Sequence, residues 1–174
     1  MRRILVAAAA VLIALPVPSL ARAQGAKPRL TDEAVVAILE AANTFDLETG
    51  QLAADRAQRK EVREFGMMLA RDHRAVRQQG RDLADKLKIS PAELGEGELF
   101  TAHASAMKKL RAATDAEFDA LFLQHEIAYH EKMITLTNET LLPSISNAEL
   151  KAFVNRIAPA FVAHRDAAQN LLKR

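Results

Sequence analysis

Val62–Leu87, VREFGMMLARDHRAVRQQGRDLADKL, is the stretch whose reading decides the fold. One face carries Val62, Gly66, Leu69, His73, Val76, Gly80, Leu83 and Leu87. The steps alternate four and three, the spacing of one helix face packed against other helices. Seven of these eight residues are apolar or glycine, and His73 stands among them with a glycine one heptad to either side. Glycine costs a helix interior about 1 kcal/mol relative to alanine, so two of them on a seam imply close approach there. A histidine in such a seam is either a satisfied structural polar group or a ligand.

The chain before this helix divides into an export signal and a first helix. Arg2 and Arg3 precede an apolar run, Ile4–Leu15, too short to span a membrane. Pro16 and Pro18 break the run, and Ala21-Arg22-Ala23 has the form of a cleavage site. The expectation is a secretory signal peptide over residues 1–23, cut after Ala23, and a periplasmic or secreted product. Residues 24–174 then form a single domain without a further apolar stretch long enough to span. Removing Arg2, Arg3 and Arg22 takes the formal charge from +2 to −1, so the basic balance gives no argument for nucleic acid. One Tyr and no Trp leave no stacking platform for bases. The absence of Cys excludes disulfides, c-type haem attachment and thiolate ligands. The composition is that of an all-α domain. Protein partners and oligomeric state stay open, a homo-oligomer among the alternatives.

Helix boundaries follow from capping chemistry. Thr31 is an N-cap with Asp32 and Glu33 in the first turn, and the first helix runs to about Gln58. Its stripe is Val35, Ile38, Ala42, Phe45, Thr49 and Leu52, with Glu48 beside it. A buried Glu must be paired or bound to something; at the rim it reaches water. The second helix spans about Arg59 to Lys88, so close behind the first that the two are antiparallel neighbours. Ser90-Pro91-Ala92-Glu93 is expected to open a small turn or helix, and Leu99–Leu110 to form a short amphipathic helix with His103 at the surface or in packing. Thr114-Asp115-Ala116-Glu117 is a capping box opening the third helix, which runs to about Leu141 before Leu142-Pro143. Ser146-Asn147-Ala148-Glu149 is a second such box. The last helix presents Leu150, Val154, Ile157, Phe161, His164, Ala168 and Leu171 in steps of four and three.

His73, His130 and His164 therefore occupy seam positions on three helices. If the segment 89–113 is a crossover running the length of the bundle, the second and third helices start at the same end. His73 lies fourteen residues after Arg59 and His130 sixteen after Thr114, a difference of about 3 Å in height. Glu48 and His73, and His130 and His164, differ by roughly one turn across their hairpins, and side chains lean toward their own N-termini. One Glu and three His can then meet near the middle.

Four elements in order resemble a family of exported bacterial proteins, domain of unknown function 4142. They are Phe45-Asp46-Leu47-Glu48-Thr49-Gly50-Gln51-Leu52-Ala53, Phe65 to Arg71-Asp72-His73, Phe118-Asp119 with His130, and Pro159 followed by His164. The resemblance implies a ferritin-like four-helix bundle and points to Glu48, His73, His130 and His164; it supplies no reaction. Imidazoles with a carboxylate suit one divalent transition metal, Zn, Cu, Fe or Ni. The alternative is a structural or interaction bundle whose histidines form a metal-free network with each other, Glu48 and the carbonyl freed by Pro159.

Enzyme motifs are missing. No E-x-x-H occurs, which argues against di-iron carboxylate chemistry. His125-Glu126-Ile127-Ala128-Tyr129-His130 has one residue too many for H-E-x-x-H, and histidines five apart point about 140° from one another. Asp72 is expected to be a solvated or interhelical partner, with a role behind a ligand as the lesser reading.

Overall fold

A computed structural model describes residues 29–95 and 97–174. The expected signal peptide and its cut after Ala23 lie outside the described residues. The described chain contains helices α1 (Asp32–Arg56), α2 (Lys60–Leu87), α3 (Glu98–Ala112), α4 (Asp115–Leu136), α5 (Leu142–Ser144) and α6 (Ala148–Leu172). A π-helical turn, Thr137–Leu141, joins α4 to α5. No strand occurs among the described residues.

Hydrogen bonds at the two ends establish the topology. At one end the Asp32 carboxylate accepts the N–H groups of Ser146 (2.8 Å) and Asn147 (2.9 Å), and Lys86 pairs with Glu149. The starts of α1 and α6 and the end of α2 therefore lie together. At the other end Arg56 donates to the carbonyls of Leu110 (3.0 Å), Arg111 (3.0 Å) and Ala113 (2.8 Å), satisfying acceptors that the end of α3 leaves open. The Asp119 carboxylate accepts from the backbone N–H of Gln58 and Arg59, both at 2.9 Å, and Arg59 donates to Leu171 O at 3.0 Å. So α2 and α4 start at the same end and α1 and α6 at the opposite one. This is the ferritin-like four-helix arrangement, with α3 as the short extra helix in the crossover.

Capping largely follows the sequence. Thr31 accepts from Ala34 N–H, and Thr114 with Glu117 forms the expected box. Two expectations need correction. The cap of α6 is Asn147, one residue later than Ser146, its side chain accepting from Glu149 and Leu150 N–H. Ser90–Glu93 forms no helix; Ala92 N–H donates to Glu33 O at 3.0 Å and ties the segment to α1.

The seam glycines behave differently from one another. A Cβ on Gly66 would lie 2.7 Å from Gly50 O, 2.8 Å from Ala53 Cβ and 2.9 Å from Ala54 N. A Cβ on Gly50 would lie 2.7 Å from Gly66 O. The α1 and α2 backbones touch here, as the sequence implies. At Gly80 a Cβ would meet only the Phe153 ring, at 3.7 Å, so no backbone approaches and that part of the expectation fails.

Apolar burial is concentrated in two blocks. One, around Val35, Leu39, Leu141, Leu150, Phe153 and Val154, fills the end where α1 and α6 begin. The other, around Val62, Phe65, Leu69, Phe118, Phe122 and Ala168, fills the opposite end. Between them lie the buried polar residues Asn43, Asp46, His73, Glu126, His130 and His164.

Gly66→Ala should therefore lower stability despite its better helix propensity, because backbone must move apart; overpacking typically costs about 1–3 kcal/mol. Gly80→Ala should raise it by up to about 1 kcal/mol. Urea denaturation of the two variants checks the pair, and a stabilised Gly66→Ala would contradict the close contact.

Candidate metal centre

The antiparallel pairing of α1 and α2 places the first group of site residues. With Gly50 opposite Gly66, moving seven residues back along α1 and seven forward along α2 brings Asn43 opposite His73. The His73 Nδ1–H donates to Asn43 Oδ1 at 3.0 Å. Asn43 in turn donates Nδ2–H to Leu39 O at 2.7 Å, which assigns its oxygen as the acceptor. The His73 proton is thus held on Nδ1, and Nε2 carries the lone pair. Asp46, one turn along α1, sets its Oδ2 3.4 Å from that Nε2 and 3.9 Å from His130 Nε2.

Helices α4 and α6 complete the layer. The His130 Nδ1–H donates to Glu126 O at 2.9 Å, leaving Nε2 as the lone-pair nitrogen. Glu126, four residues earlier on the same face, has Oε2 3.5 Å from His130 Nδ1 and is fully buried. His164 has Nε2 3.4 Å from Asp72 Oδ2, while its Nδ1 points inward without a partner. Asp72 is itself held by Arg71, whose Nε donates to Oδ1 at 2.8 Å. Asp72 is thus an interhelical partner, 34% exposed and reaching from α2 to His164 on α6, as the sequence leads one to expect.

The three rings face one another, with centroids 5.9 Å apart for His73–His130, 5.2 Å for His73–His164 and 5.3 Å for His130–His164. One ligand atom from each lies within 4.8 Å of the others, and Asp46, Glu126 and His130 form a second group meeting the same limit. Among the described residues, seven buried side-chain polar atoms lack a hydrogen-bond partner. Six of them belong to this layer: His73 Nε2, His130 Nε2, His164 Nδ1, Asp46 Oδ1 and both Glu126 oxygens. Each imidazole thus spends one nitrogen on a fixed partner and turns the other bare toward the centre. Buried polar atoms are ordinarily paired, so the layer departs from the rule, and its groups could hold a metal ion.

Glu48 is not part of this centre. Its side chain is 46% exposed, and Oε2 pairs with His103 Nε2 of α3 at 2.8 Å. The physical reason is that α1 has two apolar faces. Phe45 packs on the crossover, with Phe100 edge-on at 5.3 Å and His103 stacked at 4.1 Å, and Glu48 follows that face. Asp46 lies on the other. The expected network also changes: the ring nitrogens bond to Asn43, Glu126 O and Asp72, rather than to Glu48 or a carbonyl near Pro159. Asp46 and Glu126 went unselected, although Glu126 shares a face with His130 at the i, i+4 spacing and Asp46 lies one turn from the glycine that meets Gly66. His125 packs against Tyr129 beside the centre, its ring pushed down to about 4 by burial.

Burial governs the charge state. It lowers His73 well below the usual imidazole range, with the neighbouring imidazoles adding to the effect, lowers His130 to about 4, and lowers His164 against the opposing pull of Asp72. It raises Asp46 well above the usual carboxylate range, with Glu126 adding to it, and pushes Glu126 up to about 7. A group with a raised folded-state value stabilises below its unfolded value and loses that contribution as pH rises through the folded one. For Glu126 the window runs from its ordinary 4.5 to about 7. In metal-free protein Glu126→Gln should therefore gain stability over wild type progressively across that window, by up to about 3 kcal/mol, and no further above it. Melts at intervals from pH 4 to 8 test this; a pH-independent difference would contradict the assignment.

Two solved structures share the architecture. One, described as "CopM in the Cu(II)-bound form", is 13% identical, covers 83% of this chain and 98% of its own, and superposes with a TM-score of 0.64. The other, a DUF305 fragment from Deinococcus radiodurans, is 17% identical, covers 84% and 99%, and has a TM-score of 0.70. Identity this low establishes the shared helical-bundle fold alone. None of the curated proteins matches. The sequence itself matches a family over residues 17–171, and the chain belongs to it: Domain of unknown function (DUF4142).

Proposed function

We propose that this protein is an exported metal-binding bundle that holds one divalent transition ion in the buried layer, through His73 Nε2, His130 Nε2, His164 Nδ1 and the Asp46 carboxylate. The observation that carries the reading is the group of three close imidazoles, with Asp46 Oδ2 3.4 Å from His73 Nε2 and 3.9 Å from His130 Nε2. The 3.4 Å between His73 Nε2 and Asp46 Oδ2 matches the edge of a tetrahedron whose bonds are about 2.1 Å, the length typical of nitrogen and oxygen ligands. Asn43, Glu126 O and Asp72 hold the second nitrogens, as partners of ligating histidines do. Charge supports the same assignment. Three neutral imidazoles with Asp46 and Glu126 ionised would balance a divalent cation, whereas burial without the cation favours the protonated acids. Export rests on the N-terminal sequence alone.

Among the divalent ions that imidazole suits, Cu(II) forms the strongest complexes with a given nitrogen and oxygen site. That one structure sharing the fold is described as Cu(II)-bound agrees with this order. The reading assigns no reaction. In a metal-free layer the protonated Asp46 and Glu126 bond to each other and Asp46 lies within reach of His73 Nε2, but the inward nitrogens of His130 and His164 stay without a donor, which makes this the weaker alternative.

Protein purified without a His-tag, stripped with chelator and titrated with Cu(II), Zn(II) or Ni(II), should bind one equivalent and melt at a higher temperature. An ion at a hundred times its dissociation constant adds about 2.7 kcal/mol. His73→Ala should abolish both effects, and Glu48→Gln should leave them intact. Affinity should fall toward acid pH as protons compete for the ligands. Equal destabilisation by His73→Ala with and without chelator, and no metal uptake by wild type, would reduce the layer to a structural one. Asp72→Ala and Asn43→Leu should each weaken affinity by about 10–100-fold while preserving stoichiometry, as measured by competition against a chromogenic chelator.

A further inference from the structure

Gly80 opens a cavity where the sequence implied contact. Between α1, α2 and α6 lies a space of about 350 Å³ with Leu39, Val76, Ala84, Leu150 and Phe153 among its walls. Its size falls at the lower end of small-molecule sites, and its lining has their character: apolar walls with a few convergent polar groups. Asn43 closes it on the side toward His73. The polar groups sit at the mouth. Glu40 Oε1 alone accepts from both Arg77 Nε, at 2.6 Å, and Arg81 Nε, at 3.1 Å. Two guanidinium groups thus share one carboxylate oxygen, and the terminal nitrogens of Arg77 have no hydrogen-bond partner among the described residues. Asp85 lies on the same line of α2 as Arg77 and Arg81, about 12 Å beyond Arg77, and disfavours an anion at its end of the rim.

We infer that this cavity binds a small amphiphilic monocarboxylate, with its tail against Val76, Gly80 and Phe153 and its carboxylate on the terminal nitrogens of Arg77. The planar fork of an arginine whose Nε is already fixed presents two parallel N–H donors to such a head group. The walls supply the remainder by removing the tail from water. Nothing in this assignment depends on whether the histidine layer binds metal.

Titration calorimetry with octanoate and with its neutral analogue octanol, on the full chain, tests the inference. Wild type should bind octanoate at one site. Gly80→Leu should fill the cavity and weaken octanoate binding at least about tenfold at an unchanged or higher melting temperature. Arg77→Gln should weaken octanoate about tenfold or more and leave octanol unaffected, since the charged donor is lost while the apolar walls stay and Arg81 still holds Glu40. Should Gly80→Leu melt lower than wild type, Arg77→Gln at the partly exposed rim decides the matter by itself. No octanoate binding by wild type, or octanoate binding undiminished in Arg77→Gln, overturns the proposal.

Discussion

Where α1 crosses α2, Gly50 and Gly66 bring the two backbones so close that a Cβ on either would lie 2.7 Å from the other's carbonyl oxygen. No side chain can take either place without separating the helices. The contact therefore sets the register of the hairpin, and much of the site inherits that register. Asn43 comes opposite His73, Glu40 comes opposite Arg77, and Asp46 comes within reach of two imidazoles. A slip of one turn along either helix would separate these pairs by about 5.4 Å and break them together.

The layer so assembled is costly to bury. An unsatisfied buried polar atom typically costs about 1–3 kcal/mol, and the layer concentrates several. The apolar blocks on either side offset this through the burial of Val35, Leu141 and Val154 at one end and of Phe118, Phe122 and Leu69 at the other. The polar groups sit at the centre, where four helices surround them and water is excluded. That exclusion explains the direction of each titration: imidazoles kept neutral, carboxyls kept protonated. Under the proposed function an ion would replace the carboxyl protons and meet imidazole nitrogens that are already bare, with little further desolvation.

The crossover supplies a second environment for the same helix. By packing against Phe45 and pairing His103 with Glu48, α3 draws one face of α1 away from the bundle centre. Asp46 and Glu48 are two residues apart, about 200° around the helix. One is a buried member of the histidine layer and the other a half-exposed partner of the crossover. The division of labour between them depends on α3 having an apolar face of its own to bury.

Periodicity and capping determined the helices, because apolar spacing and terminal hydrogen bonds are local properties. Thr31, Thr114 and the seam of Val62–Leu87 act within a few residues of where they stand. They also determined that His73, His130 and His164 lie on inward faces at similar heights, since the rise per residue is constant along a helix. The carboxylate partners were decided by tertiary structure alone. Counting residues from the connecting turn places Glu48 within one turn of His73, yet the true register comes from the Gly50–Gly66 contact, which pairs His73 with Asn43 five positions earlier. Choosing between the two apolar faces of α1 further required knowing where α3 packs. Gly80 illustrates the same limit: on the sequence it is indistinguishable from Gly66, and only the packing, of α1 against Gly66 and of Phe153 on α6 beside Gly80, makes one a backbone contact and the other the wall of a cavity.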